Sequence, residues 1–158
     1  SYSKIGKNPE MSLIDCNSLM HDLEVDLKKR IVDTETKITY ENLPKINGYR
    51  TELYSLYVNL VSNAIKFRRE GHSPKINVTV EDLDSHWKFS IQDNGIGISK
   101  SDRERVFNIF QRLNNDDSYE GTGIGLAQCK KITELHQGEI WIDDSSKIGS
   151  KFNFTLKK

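Results

Sequence analysis

The stretch Asn59-Leu60-Val61-Ser62-Asn63-Ala64-Ile65-Lys66-Phe67 restricts the fold of this chain more than any other. At about 100° per residue, Leu53, Leu56, Tyr57, Leu60, Val61, Ala64 and Ile65 spread over most of a helical wheel. A helix that apolar is expected to be buried on nearly every side. Ser55, Asn59, Ser62, Asn63 and Lys66 fall together in one arc of roughly 100°. Two carboxamides and an ammonium on the only polar stripe of a buried helix need partners. Either the fold supplies them, or the stripe lines a cleft that holds a polar ligand.

Size and charge narrow the setting. A chain of 158 residues is long enough for one domain with a sizeable core. Lys+Arg and Asp+Glu both count 23, so the formal charge is zero, which gives no argument for nucleic acid or anionic lipid as a partner. No apolar run approaches the roughly 20 residues of a membrane span, and no signal peptide is visible. The expectation is therefore a cytoplasmic, monomeric domain without direct membrane contact. Its start, Ser1-Tyr2-Ser3-Lys4, lacks an initiator Met and is expected to be cut from a longer protein. Cys16 and Cys129 lack a metal-ligand pattern with the four His and are expected as reduced, packed thiols.

Along the chain, Gly6, Asn8 and Pro9 mark a linker or the end of a preceding element, with the domain proper starting near residue 11. Asp15 or Asn17 caps a helix carrying Leu19, Leu23, Leu27 and Ile31 at i, i+4 spacing. Residues 37–41 read as a strand, and Lys45 to Gly48 as a short second one. The polar-striped helix runs from about Arg50 to Arg69, and Gly71-His72-Ser73-Pro74 stops it. Residues 76–80 and 87–91 alternate as a hairpin. Ser101 with Glu104 suggests a capping box for a short helix through about Phe110. Asn114 to Glu120 reads as a mobile loop. A helix follows to about His136, with Gly138 suited to its C′ position, and two strands around Gly149 close the chain. The alternating strands predict a two-layer α+β sandwich, with one sheet face covered by helices.

Two glycine-bearing stretches accompany the helix. Gly121-x-Gly123-x-Gly125 opens a helix, where close backbone approach and free N–H groups suit a phosphate. It is neither a Rossmann fingerprint nor a Walker loop, and a plain hinge is the alternative. Asp93-Asn94-Gly95-Ile96-Gly97 places a carboxylate at a strand end, able to accept from an exocyclic amine at a cleft floor or simply to make a turn.

Taken together, Asn59-x-x-x-Asn63-Ala64-x-Lys66, Asp93-x-Gly95-x-Gly97, Phe107-x-x-Phe110 and Gly121-Thr122-Gly123-x-Gly125-Leu126 resemble the catalytic, ATP-binding domain of sensor histidine kinases. Their order and spacing match that family's N, first-glycine, phenylalanine and second-glycine boxes over roughly residues 10–158. Gln111-Arg112-Leu113 resembles the phytochrome-like and hybrid-kinase branch, and Gly149-Ser150 the last glycine box. The resemblance implies the Bergerat fold of the GHKL superfamily: a mixed sheet of about five strands, about three helices and an ATP lid at Asn114–Glu120.

It also implies roles. Asn63 would ligate Mg²⁺, and Asn59 would orient phosphates and water. Lys66 and Arg112 would meet the phosphates as catalytic cations. Phe67 would pack on adenine, and Asp93 would read its amino group. Gly95 and Gly97 would sit against the base, with Phe107 and Phe110 clamping the lid. Gly121, Thr122, Gly123, Gly125 and Leu126 would cradle phosphates. The implied activity is transfer of the γ-phosphoryl of Mg·ATP to a His on a separate dimerisation domain, and a response regulator receiver domain would take it next. The family's phosphoacceptor motif is absent; His21-Asp22-Leu23 is only an echo. His72, His86 and His136 read as structural. An ATP hydrolase or a serine kinase of the same superfamily is the competing enzyme, but the hydrolase's Glu base is replaced by Asn59, whose amide takes no proton from water. A scaffold that has lost catalysis is the third reading.

Overall fold

The computed structural model describes residues 10–108, 125–143 and 147–158. Strand β1 (Ser12–Asp15) leads into helices α1 (Cys16–Asp26) and α2 (Lys28–Thr34). Strands β2 (Lys37–Tyr40) and β3 (Lys45–Gly48) precede the long helix α3 (Arg50–Lys66). The hairpin β4 (Lys75–Asp82) and β5 (His86–Asp93) follows, then two 3₁₀ turns, Lys100–Asp102 and Arg105–Phe107. Helix α4 (Gly125–Leu135) and strands β6 (Ile140–Asp143) and β7 (Lys151–Lys157) complete the order.

Five strands form one mixed sheet in the order β2-β4-β5-β7-β6, with β2 parallel to β4 and the other pairs antiparallel. Alternation decides which face meets the helices. Ile76, Val78, Phe89, Ile91, Phe152, Phe154 and Leu156 are buried with the apolar side of α3, whereas Lys75, Asn77, Thr79 and Gln92 between them are exposed. Tyr57 of α3 stands edge-on to Phe89 at 5.9 Å and to Phe154 at 5.6 Å, and those two rings stack at 5.1 Å. The two-layer α+β architecture and five-stranded mixed sheet are those expected from the sequence.

Four local expectations need correction. Ser12–Asp15, to which the sequence assigned no strand, pairs antiparallel with β3 from Ser12↔Gly48 to Asp15↔Lys45. The Leu ladder does not make one helix, because Leu27 leaves helical geometry and separates α1 from α2; Asp15 caps α1 by accepting from the Asn17 and Ser18 N–H groups. Helix α3 ends at Lys66, since the Phe67 carbonyl turns to accept from Ile96 N–H at 2.9 Å. In place of a helix capped by Ser101 there are 3₁₀ turns, and Ser99 Oγ donates to Asp102 at 2.8 Å.

The close of α4 also differs in its cause. The residue with positive φ after the helix is Gln137, at 58°, not Gly138. Gly138 is needed for space: a Cβ there would lie 1.7 Å from the Thr155 carbonyl oxygen. The same helix end ties α4 to α3. His136 Nδ1–H donates to Ile132 O at 2.8 Å while Nε2 accepts from Tyr49 N–H at 3.1 Å, which fixes a neutral imidazole. Burial lowers its pKa below the ordinary value, against the Ile132 carbonyl and the Glu52 charge. A depressed folded pKa means stability is full above the unfolded value, about 6.5, and is lost as pH falls through it. Unfolding free energy should therefore drop by up to about 1.4 kcal/mol per pH unit below that point. Denaturant melts at pH 7.5, 6.5 and 5.5 check this; His136→Gln should flatten the slope.

Candidate functional site

Helix α3, the end of β5 and the start of β7 meet in one recess, lined by Asn63, Ala64, Phe67, Asp93, Gly97, Ile98, Ser150 and Phe152. Three of the expected stretches thus converge although 30 residues separate Asn63 from Asp93 and 57 separate Asp93 from Ser150. The recess is drawn in to about 10 Å³, the space of roughly one water.

Asp93 is the hub. Its side chain is buried, and Oδ1 accepts from Gly95 N–H at 2.9 Å and Ser150 N–H at 3.1 Å. Among the described residues Oδ2 accepts only the Ser150 hydroxyl, at 3.1 Å, which leaves it acceptor capacity. Burial pushes the carboxyl above the usual carboxylate range, against the lowering pull of those three donors. A carboxylate with an unused lone pair on a narrow recess is a ready acceptor for an amine. Ser150 was legible only as part of a glycine box; its grip on Asp93 is a long-range contact that no local pattern announces.

The other expected residues fall in different places. Gly95 packs on the end of α3, where a Cβ would lie 2.5 Å from the Phe67 carbonyl oxygen. Asn59 faces the first residue of α4: a Cβ on Gly125 would sit 3.4 Å from Asn59 Oδ1. Asn59 Nδ2 is buried with no oxygen or nitrogen acceptor among the described residues, and it lies against the Cys129 thiol, where its hydrogen bond opposes the rise that burial causes. Lys66 is not among the recess-lining residues, and its Nζ stands 5.4 Å over the Phe67 ring. Leu126 is a core side chain, so any part it has in binding runs through its backbone. Phe107 is core as well, edge-on at 6.2 Å to the recess wall Phe152. Phe110, Arg112, Gly121, Thr122, Gly123 and the loop Asn114–Glu120 lie outside the described residues.

Elsewhere the structural readings hold. Asp22 pairs with Arg50 at 2.5 Å, which engages the acid of the His21-Asp22 echo in packing α1 on α3. Cys16 and Cys129 are free, buried thiols, each pushed up to about 12 by burial. Among the described residues, no group of His, Cys, Asp and Glu has the makings of an all-protein metal site.

The sequence profile of the histidine kinase-, DNA gyrase B- and HSP90-like ATPases matches residues 48–158, and the chain belongs to that family. Within it, this is an ATPase domain of the histidine kinases. It is 47% identical over 157 residues to cyanobacterial phytochrome A of Nostoc sp. (strain PCC 7120), covering 99% of this chain and 20% of that protein. It is 34% identical to the adaptive-response sensory kinase SasA of the same organism, covering 96% of this chain and 37% of SasA. The chain therefore spans between a fifth and two-fifths of these relatives. The catalytic domain of histidine kinase ThkA superposes with a TM-score of 0.77 at 28% identity, covering 94% of this chain and 98% of that one. A second ThkA structure, in complex with the response regulator TrrA, matches at 25% identity with a TM-score of 0.72.

Proposed function

We propose that this chain is the catalytic half of a sensor histidine kinase, holding Mg·ATP for transfer of its γ-phosphoryl to a His on a dimerisation domain of the same protein. The observation that carries this is the convergence of Asn63, Phe67, Asp93 and Ser150 on one recess. Asp93 accepts the adenine amino group, with Phe67, Gly95 and Gly97 against the base. Asn63, one turn from Asn59 on the same face of α3, supplies a neutral oxygen suited to Mg²⁺ whose charge is balanced mostly by phosphate. Mg²⁺, when bound, would neutralise charge on the transferred group; the chain's own part is positioning, with Lys66 and Arg112 as cations and residues 121–126 as the phosphate cradle. Asp93 is the only acid among the described residues lining the recess, and in this reading its spare lone pair is taken by the adenine amino group. That disfavours hydrolysis by a carboxylate base.

In this reading residues 1–10 are the linker from the preceding dimerisation helix, and 11–158 the catalytic domain, monomeric alone. The phosphoryl passes on to a receiver domain, as the ThkA–TrrA complex suggests by analogy. The compartment is the cytoplasm; among the described residues no helix is long and apolar enough to cross a membrane.

The test is radiolabelled ATP with the chain alone and with a phosphoacceptor dimerisation domain added. Label should appear only on the added domain. Label on neither, or phosphate release by the chain at about 1 per second, would reverse the reading. For the metal, Asn63→Ala should raise the Kd for ATP about tenfold in Mg²⁺ but leave it unchanged in EDTA, measured by calorimetry.

A further inference from the structure

The face of the sheet opposite the helices carries a second feature, unrelated to the nucleotide site. Lys37 of β2 and Lys75 of β4 are Cα partners in parallel register. Both are exposed, while the next pair, Ile38 and Ile76, turns inward; the two ammonium groups thus rise from the same outer face on neighbouring strands. Strands in register run about 4.8 Å apart, and like charges directly opposite destabilise a sheet. No carboxylate pairs with either lysine among the described residues.

Arg69 joins them. Its Nε donates to the Asn94 carbonyl at 3.0 Å, which anchors the guanidinium and leaves its other N–H groups available. Asn94 is itself held: Oδ1 accepts from Lys75 N–H at 2.8 Å, and Nδ2 donates to the Ser73 carbonyl at 3.1 Å. Lys37, Arg69, Lys75, Asn77, Asn94 and the exposed Ile148 surround an open groove of about 620 Å³. Asp93 also borders it, but its carboxylate is turned to Gly95 and Ser150 at the nucleotide recess. In a chain of zero net charge, this groove gathers three cations, a rim of amides and the exposed Ile148, against one acid, Asp93.

We propose that this groove is a docking site for an extended, acidic segment of a partner protein, lying along the β2–β4 edge of the outer face. Carboxylates at alternate positions of a strand repeat at roughly 6.6 Å. That spacing lets one carboxylate bridge Lys37 and Lys75 while the next reaches Arg69, with an aliphatic side chain against Ile148. A groove this open has none of the enclosing backbone that captures a lone phosphate. Charge complementarity would set the encounter rate and make binding fall with salt.

The probe is a fluorescein-labelled twelve-residue peptide alternating Glu and Thr with one central Ile, titrated with the chain by anisotropy. Saturable binding at 50 mM NaCl, weakened at least fivefold at 300 mM, is expected. The double variant K37E/K75E should lose at least tenfold, whereas Lys88→Glu, on the same face outside the groove, should stay within twofold. Melting curves confirm that both variants fold. ATP binding should be unchanged in K37E/K75E, so failure of this site and failure of the nucleotide site are told apart. Absence of peptide binding, or equal binding by K37E/K75E, overturns the proposal. So does K37E/K75E-sensitive capture of tripolyphosphate, or of phosphatidylserine vesicles, without capture of the peptide.

Discussion

Replacing Asp93 by Asn should raise the Kd for ATP roughly 10- to 150-fold and leave the fold intact. The reason lies in how the carboxylate's two oxygens are used. Oδ1 takes the Gly95 and Ser150 N–H groups, and an Asn Oδ1 does the same. Among the described residues Oδ2 takes only the Ser150 hydroxyl, which can rotate to accept from an Asn amide instead. The exocyclic amine of adenine, however, would then meet an NH₂ where it had an anionic acceptor. A hydrogen bond to a charged group is worth about 1.5–3 kcal/mol, which is that fold-change. Guanine presents a carbonyl oxygen at the same place, so the variant should lose less for GTP, and preference for ATP should narrow. Calorimetry with both nucleotides reads this directly. Because Asn also removes a buried charge, the melting temperature should not fall. Unchanged ATP affinity would show that the base binds elsewhere.

The site and the fold were legible to different depths. Helix α3 declared itself because seven apolar residues at helical spacing leave only one polar arc, and burial of that helix forces the arc onto a cleft. The central strands were equally plain from alternation. Strand β1 was missed because only Ile14 of its four residues is buried, so no period shows; its existence depends on β3, some thirty residues on. Helix α1 was drawn too long because Leu23, Leu27 and Ile31 keep helical spacing across the break at Leu27. Gly138 was assigned to a helix cap on local grounds, but the constraint is the Thr155 carbonyl on another strand. Ser150 belongs with these: its position suggested a glycine box, and only the folded chain shows it gripping Asp93. Where a residue's reason is a neighbour close in sequence, pattern reveals it. Where the reason is a distant backbone atom, it does not.

Gly149 gives the second large effect, and Gly71 supplies its control. Both have positive φ, 73° and 76°. For Gly71, a built Cβ meets nothing within 4 Å, so Gly71→Ala carries only the cost of placing Ala in left-handed geometry, about 1–2 kcal/mol. At Gly149 the same Cβ would lie 2.0 Å from the Asp93 carbonyl oxygen and 2.7 Å from Asp93 Oδ1. Both are backbone-fixed or hydrogen-bonded atoms that cannot swing aside, so the β6–β7 connection must move off the end of β5. Gly149→Ala should therefore cost roughly 3 kcal/mol or more, since strain and a buried clash add. For a chain of this size that is about a 6–12 °C fall in Tm, against about 2–8 °C for Gly71→Ala. Movement at 149 also carries Ser150 away from Asp93, so Gly149→Ala should lose ATP binding even at temperatures where it stays folded, while Gly71→Ala should bind as before. Equal melting shifts for the two variants would mean that the turn yields freely and that Asp93 is held by hydrogen bonds alone.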